Sequence, residues 1–302
     1  MAWTLALAAT SVLSHFPPPF AYNTRTDLIP LATRSSIRSF MKLFSALLLL
    51  FFATVISCPT TAQKQPQQPN PEKAEQIVKQ ALEAVGGQRY LDVRTLVGRG
   101  QYSQFQDGVS GLPSSFVDYI AYPDKERTEF RSSGGKVIQT NTGDTGWLFD
   151  GAAKMIKEMK KEQVDEFKAN LRVSVENLLR GGWRNDGAQL SYVGRREAGL
   201  AKRNEVVRLT YPDGFTVEYE FGVKDNLPAK VFYTKKRADG AETKEEDRFA
   251  QMLTISGIVT PFVIDHFTEG KQTSRLNYQS VEYNTPIPDS LFAQPASIKS
   301  LK

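Results

Sequence analysis

From Arg94 onward the sequence runs on a two-residue period, and that change limits the fold more than any other feature. In Phe215-Thr-Val-Glu-Tyr-Glu-Phe221 every second side chain is apolar, with Thr216, Glu218 and Glu220 between. Successive side chains of an extended strand point to opposite faces, so this segment predicts one dry and one wet face. Less regular runs of the same kind occupy 96–105, 116–122, 127–131, 137–141, 147–150, 190–194, 206–211, 229–234, 248–255, 262–267 and 275–283. Turn signals separate them: Tyr122-Pro-Asp, Ser133-Gly-Gly, Gly143-Asp, Tyr211-Pro-Asp-Gly, Asp225-Asn-Leu-Pro and Asp239-Gly. These are short enough for hairpins, so successive strands are expected to be antiparallel neighbours.

Parallel pairing would need crossover helices, and only two helical patterns exist. The first begins with Asn70 as a side-chain cap, Pro71 at the first helical position and Glu72 beside the positive end of the dipole. Its apolar residues Ala74, Ile77, Val78, Ala81, Leu82 and Val85 share one face, and Gly86-Gly87 ends it. The second covers 162–180, with Val164, Phe167, Leu171, Val175, Leu178 and Leu179 on one side and Gly181-Gly182 as the stop. A mainly β fold follows: a curved antiparallel sheet forming an incomplete barrel, with about two helices packed on its concave side.

The N-terminus reads as a leader over 1–62. Residues 41–58 carry one charge and then a short apolar run, the anatomy of an export signal, too short to span a bilayer. The forty residues before Met41 form either a long n-region or sequence upstream of a true start at Met41. Two processing sites compete. Thr60-Thr61-Ala62 precedes a cut before Gln63, and Val55-Ile56-Ser57-Cys58 fits a loose lipobox in which Cys58 would be acylated. The first leaves a periplasmic protein, the second a lipoprotein anchored to the outer membrane. Residues 63–70, with two prolines and nothing apolar, form a flexible tether, and 71–302 a single domain.

Removing 1–62 takes away four basic residues and one acidic one, so the formal charge falls from +5 to +2. The remaining charges alternate in sign with no basic stripe, which argues against a nucleic-acid partner. Cys58 is the only cysteine, so a domain beginning at Gln63 has no disulfide and no thiol nucleophile. His266 is the only histidine after residue 62; zinc constellations of His and Cys cannot be assembled, and no metal or other cofactor is expected. No Gly-x-Ser-x-Gly elbow exists, and His266 beside Asp265 reads as a sheet histidine. The Glu-rich runs 158–166 and 242–247 are interleaved with Lys and read as solvated faces. Nothing here predicts an enzyme.

Several phrases together resemble one family. They are Ala84-Val85-Gly86-Gly87 closing the first helix, Tyr122-Pro-Asp-Lys-Glu-Arg127, Thr142-Gly-Asp-Thr-Gly-Trp147 and Leu227-Pro-Ala-Lys230. Near the end come Ile255-Ser-Gly-Ile-Val-Thr-Pro-Phe262 and Asn284-Thr-Pro-Ile-Pro-Asp-Ser-Leu-Phe292. With the export signal and the central helix, this order resembles the periplasmic lipoprotein-carrier superfamily, LolA/LolB-like proteins and their lipoprotein-sorting relatives. The resemblance implies an incomplete barrel with a helical lid, and a non-catalytic monomer that shields lipid or lipoprotein acyl chains in an apolar cavity, for transfer to the outer membrane. It also implies a lid latched by a buried Arg, which no local motif assigns. The other reading is an envelope interaction module with the same fold, no lipid cargo and an envelope protein as partner. Candidate cavity residues are Phe215, Val217, Tyr219 and Phe221 from the alternating strand, Trp147 and Phe149 from a neighbouring run, and Leu171 and Val175 from the covering helix.

Overall fold

A computed structural model describes residues 70–301 apart from 237–239. The export signal, Cys58, the cut before Gln63 and most of the tether lie outside the described residues. Helix α1 is Pro71–Val85, begun by Asn70, whose side chain accepts from the Lys73 amide at 2.9 Å, and closed at Gly86. A single turn, α2 (Gln88–Leu91), leads into the strands.

The strands are β1 (Thr95–Gln106), β2 (Val109–Ser110), β3 (Ser114–Ala121), β4 (Lys125–Ser132), β5 (Gly135–Thr142), β6 (Thr145–Asp150) and β7 (Met155–Glu158). After the helical segment come β8 (Gln189–Glu197), β9 (Arg203–Thr210), β10 (Thr216–Gly222), β11 (Pro228–Lys236), β12 (Glu242–Ile255), β13 (Ile258–Thr268) and β14 (Lys271–Tyr283). All join one antiparallel sheet in the order β7-β6-β5-β4-β3-β1-β14-β13-β12-β11-β10-β9-β8, with β2 paired to β1 alone. From β3 to β14 every pair of consecutive strands is joined except β7 and β8, which stand at the two edges. The one long-range closure, β14 on β1, joins the two halves, and the sheet does not close into a barrel.

The segment between the edge strands is helical. The pattern expected as one helix over 162–180 is two, α3 (Lys161–Val173) and α4 (Val175–Arg180), hinged at Ser174. Ser174 is extended, at φ −65° and ψ 150°. Its hydroxyl donates to the Leu171 carbonyl at 2.7 Å and accepts from the Asn177 amide at 3.0 Å, ending one helix and starting the next. The main core lies on the inward face of the sheet, where Ile77, Val78, Ala81 and Val85 of α1 and Leu178 and Leu179 of α4 meet Val207, Leu209, Val217, Tyr219 and Phe221.

The opposite face is not simply wet. Glu218 and Glu220, expected to face solvent, are buried at 8% and 1% exposure because a network from neighbouring strands covers them. Arg196 reaches both, at 2.7 and 2.9 Å, Asn204 donates to Glu220, and Arg208 to Glu218. On β4–β6 the same outer face is crossed by the chain after β14. The Trp147 indole donates to the Phe292 carbonyl at 2.9 Å, Arg127 donates to the Leu291 carbonyl, and Leu301 packs with Ile138, Trp147 and Phe149.

Candidate functional site

Helix α3 carries the geometry most relevant to binding. Its buried residues Val164, Phe167, Asn170 and Val173 recur every three residues, so the buried stripe winds half-way round the helix along its length. Ion pairs tie it to the sheet: Lys168 to Asp144 in the β5–β6 turn, Glu166 to Lys235 on β11, and Arg172 to Asp213 in the β9–β10 turn at 2.8 Å. The helix therefore reaches strands from both halves of the sheet. The Lys168–Asp144 tie is solvent-exposed and the other two are partly so, which makes each a weak restraint. Beside its N-terminal half lies an open cavity of about 740 Å³, lined by the charged Lys125, Asp144, Glu158, Lys161, Asp165, Lys168 and Asp289 as well as by Gly146, Trp147, Met159, Val164 and Phe292, and so reaching the outer-face segment after β14. That volume falls within the range of ligand pockets, about 300–1,000 Å³.

Of the sequence candidates, Val217, Tyr219 and Phe221 are all at 1% exposure or less in the main core, together with Val175. Phe215 precedes β10 rather than lying in it, is half-buried, and lies under the Arg172 guanidinium at 5.1 Å. Leu171 is half-buried on α3. Trp147 and Phe149 are buried in a separate cluster on the outer face, and Trp147 also lines the cavity. The structure thus brings Val175, Val217, Tyr219 and Phe221 together, and holds Trp147 and Phe149 apart from them.

Arg180, which no motif singled out, holds α4 to the segment before β1. It donates to the carbonyls of Tyr90, Leu91 and Val93 at 3.1–3.3 Å and stacks over Tyr122 at 4.6 Å. Only the tertiary fold assembles these carbonyls, so the sequence carries no local signal for the contact.

Polar side chains also line the inward face, on the half built from β3, β4 and β5. Asp118, Thr128 and Gln139 form one cross-strand row, and Glu126 and Asn141 the next. All five are at 5% exposure or less. The Thr128 hydroxyl donates to Asp118 at 2.8 Å and lies 3.4 Å from Glu126. Burial, then the neighbouring Glu126 charge, drives the Asp118 carboxyl well above the usual range, and burial pushes Glu126 up to about 7.

His266 lies on the inward face too, but its partner is not Asp265, which faces Arg275. Nδ1 is 2.7 Å from Asp247 and Nε2 3.1 Å from Glu245, two residues of the run read as solvated that β12 turns inward. Burial alone would lower the imidazole pKa, but the two carboxylates outweigh it and push it up to about 9. Both ring nitrogens are engaged by carboxylates, which suits a charged structural group rather than a general base.

No protein-family model matches the sequence, and no curated protein matches it by sequence. Solved structures do match. A DUF1329 family protein from Desulfovibrio piger is 11% identical, covering 74% of this chain and 98% of its own, with a TM-score of 0.51. The likeness to it is one of fold. Two further matches fall just below the TM-score at which likeness bears on the fold. A putative outer membrane lipoprotein-sorting protein domain from Vibrio parahaemolyticus is 12% identical, covers 74% and 97% and scores 0.49. A LolA superfamily protein from Nitrosomonas europaea is 16% identical, covers 73% and 97% and scores 0.48. Among the described residues no helix is long and apolar enough to cross a membrane.

Proposed function

We propose that the chain is a non-catalytic binding protein of the bacterial envelope that shields an acyl chain of a lipid or lipoprotein between α3 and the inward face of its sheet, for carriage toward the outer membrane. The observation that supports this most is the setting of α3: an apolar face turned inward, exposed ion pairs as its ties to the strands, and a 740 Å³ cavity beside it. Lifting such a helix costs little in ion-pair energy, while each methylene moved out of water contributes about 0.8 kcal/mol. Arg180 would keep α4 fixed while α3 swings about Ser174.

Cross-linking tests this. Cysteines replacing Asp144 and Lys168, joined by a short thiol-reactive linker, hold α3 against the β5–β6 turn. Uptake of a fluorescent fatty acid is expected to fall at least tenfold on linking, and undiminished uptake would refute the proposal. The second reading, an interaction module with a filled core, is favoured by the close packing of Val217, Tyr219 and Phe221 under α1 and α4. It predicts no fatty-acid uptake by the unlinked protein either. Mass spectrometry of the protein from its native envelope, with lipid extraction, reads the mature N-terminus and any cargo together, and so separates periplasmic from anchored forms.

A further inference from the structure

The outer face of β4–β6 is built unlike the apolar core. Arg127, Thr140 and Trp147 form one cross-strand row, and Glu129, Ile138 and Phe149 the next. An ion-pair chain crosses these rows. Arg127 donates to Glu129 at 2.6 and 3.0 Å, and Lys136 pairs with the same carboxylate at 2.8 Å. The Arg127, Glu129 and Lys136 side chains are at 7%, 15% and 15% exposure. Burying such a chain costs desolvation that apolar side chains of similar size would not incur, so packing alone does not account for it.

The segment after β14 covers this face, and it is held in a particular way. Among the described residues, 286–301 makes no main-chain hydrogen bond to the sheet; the amide bonds it makes fall within its own two turns, Asp289–Leu291 and Ile298–Leu301. Side chains of the face hold its carbonyls instead. Arg127 donates to Leu291 and Trp147 to Phe292, each at 2.9 Å, and Lys136 to Leu301 at 3.2 Å. Every residue has a carbonyl, so these contacts set the path of a peptide without choosing its sequence. The contacts that choose are Asp289, bonded by Lys125 at 2.9 Å, and the rings and chains that fill the face, Phe292 at 3% and Leu301 at 5% exposure. The row beneath is left unfinished: Thr140, between Arg127 and Trp147, is wholly buried, and its hydroxyl has no partner, although buried polar groups are almost always hydrogen-bonded.

We infer that the outer face of β4–β6 is a docking groove for a peptide segment of a partner protein, one with an acidic residue three positions before an aromatic one, and that the chain's own 286–301 is a resident that such a segment replaces. Charge favours an acidic occupant. Lys125, Arg127 and Lys136 face the segment against the single carboxylate of Glu129, with Arg131 and Glu158 cancelling at the margins, and the resident brings only Asp289 to them. The resident also leaves Thr140 unbonded, which a better-fitting segment would not. The groove does not rest on the acyl-shielding reading. Asp289, Phe292, Ala293 and Gln294 do line the cavity beside α3, so replacing the resident would open that cavity from the outside.

A labelled synthetic peptide with the sequence of 286–301 is the probe, and its fluorescence anisotropy with the full chain the readout. In the wild type the tethered resident competes with it. Phe292→Ala takes from the resident a buried ring that the probe supplies, so this variant is expected to bind the probe at least about tenfold more tightly than the wild type. Asp289→Ala, at a side chain 88% exposed, disturbs no packing and should tighten binding in the same direction by a smaller factor. A probe carrying both substitutions should bind neither variant. Failure of both variants to gain on the wild type, or equal binding of the substituted probe, overturns the groove. Light scattering without probe tests the other occupant: dimers of either variant would mean that two copies exchange their terminal segments, and would overturn a separate partner.

Discussion

Glu126 gives the most direct test of whether the inward polar rows are as dry as they are drawn. Its carboxyl rises from 4.5 to about 7 because burial penalises the charge. The unfolded chain ionises near 4.5 and the folded chain only near 7, so this group's share of stability is whole below pH 4.5 and is lost as pH rises through 7. At about 1.4 kcal/mol per pH unit between the two values, the loss is about 3 kcal/mol. Glu126→Gln keeps the shape and removes the titration. Urea unfolding of both proteins at steps from pH 4 to pH 8 gives the difference curve, in which ionisations common to the two cancel. The variant is expected to gain on the wild type by about 3 kcal/mol across that range, whatever constant offset the new amide brings. A flat difference curve would mean that Glu126 ionises as freely folded as unfolded, and the description of a water-poor acidic row would be wrong.

The His266 imidazole is stabilised in its charged form, so its contribution is complete below pH 6.5 and lost as pH rises through about 9; an NMR titration of its ring proton should show a midpoint near 9. A midpoint near 6.5 would show that Asp247 and Glu245 do not hold it. Ser174→Ala removes both hydroxyl bonds at the α3–α4 hinge and should cost about 1 kcal/mol in denaturant unfolding; no change would argue that the hinge serine is incidental. Trp147→Ala takes away a buried indole and its bond to Phe292 and should cost about 3–5 kcal/mol, with proteolysis after Tyr283 increasing as the terminal segment loosens. Neutralising Lys168 should leave global stability nearly unchanged yet speed amide exchange in α3, and unchanged exchange would show that its tie to Asp144 does not restrain the helix.

The antiparallel sheet was legible because alternation and hairpin turns are local signals, and α1 because its cap, its face and its glycines all lie within eighteen residues of sequence. The break at Ser174 was not, since one apolar stripe runs through both α3 and α4 and the serine acts through hydrogen bonds that only the folded hinge reveals. Alternation also says which residues share a face without saying what covers that face. Glu218 and Glu220 were rightly set opposite Val217 and Tyr219, but the arginines that bury them come from β8 and β9. Trp147 and Phe149 looked like partners of Phe215 and Tyr219 because aromatic strands look alike in sequence. What separates them is the chain after β14, which returns to cover the outer face. The run 242–247 failed for the same reason in reverse: Glu245 and Asp247 are spaced like surface charges, and their burial against His266 is decided by a neighbouring strand.

That contrast between the two halves of the sheet bears on how a ligand would lie. Under β8–β13 the inward face is mostly apolar and is met by α1 and α4, so burying it stabilises the fold without help from a ligand. Under β3–β5 it presents carboxyl, amide and hydroxyl groups, and burying such a group without a partner costs about 1–3 kcal/mol in proteins. Packing alone would be served better by leucine or phenylalanine at Asp118 and Asn141, as it is at Phe116 and Phe130 one row away. The fold therefore bears a standing cost at this half of the sheet, which a bound donor would relieve.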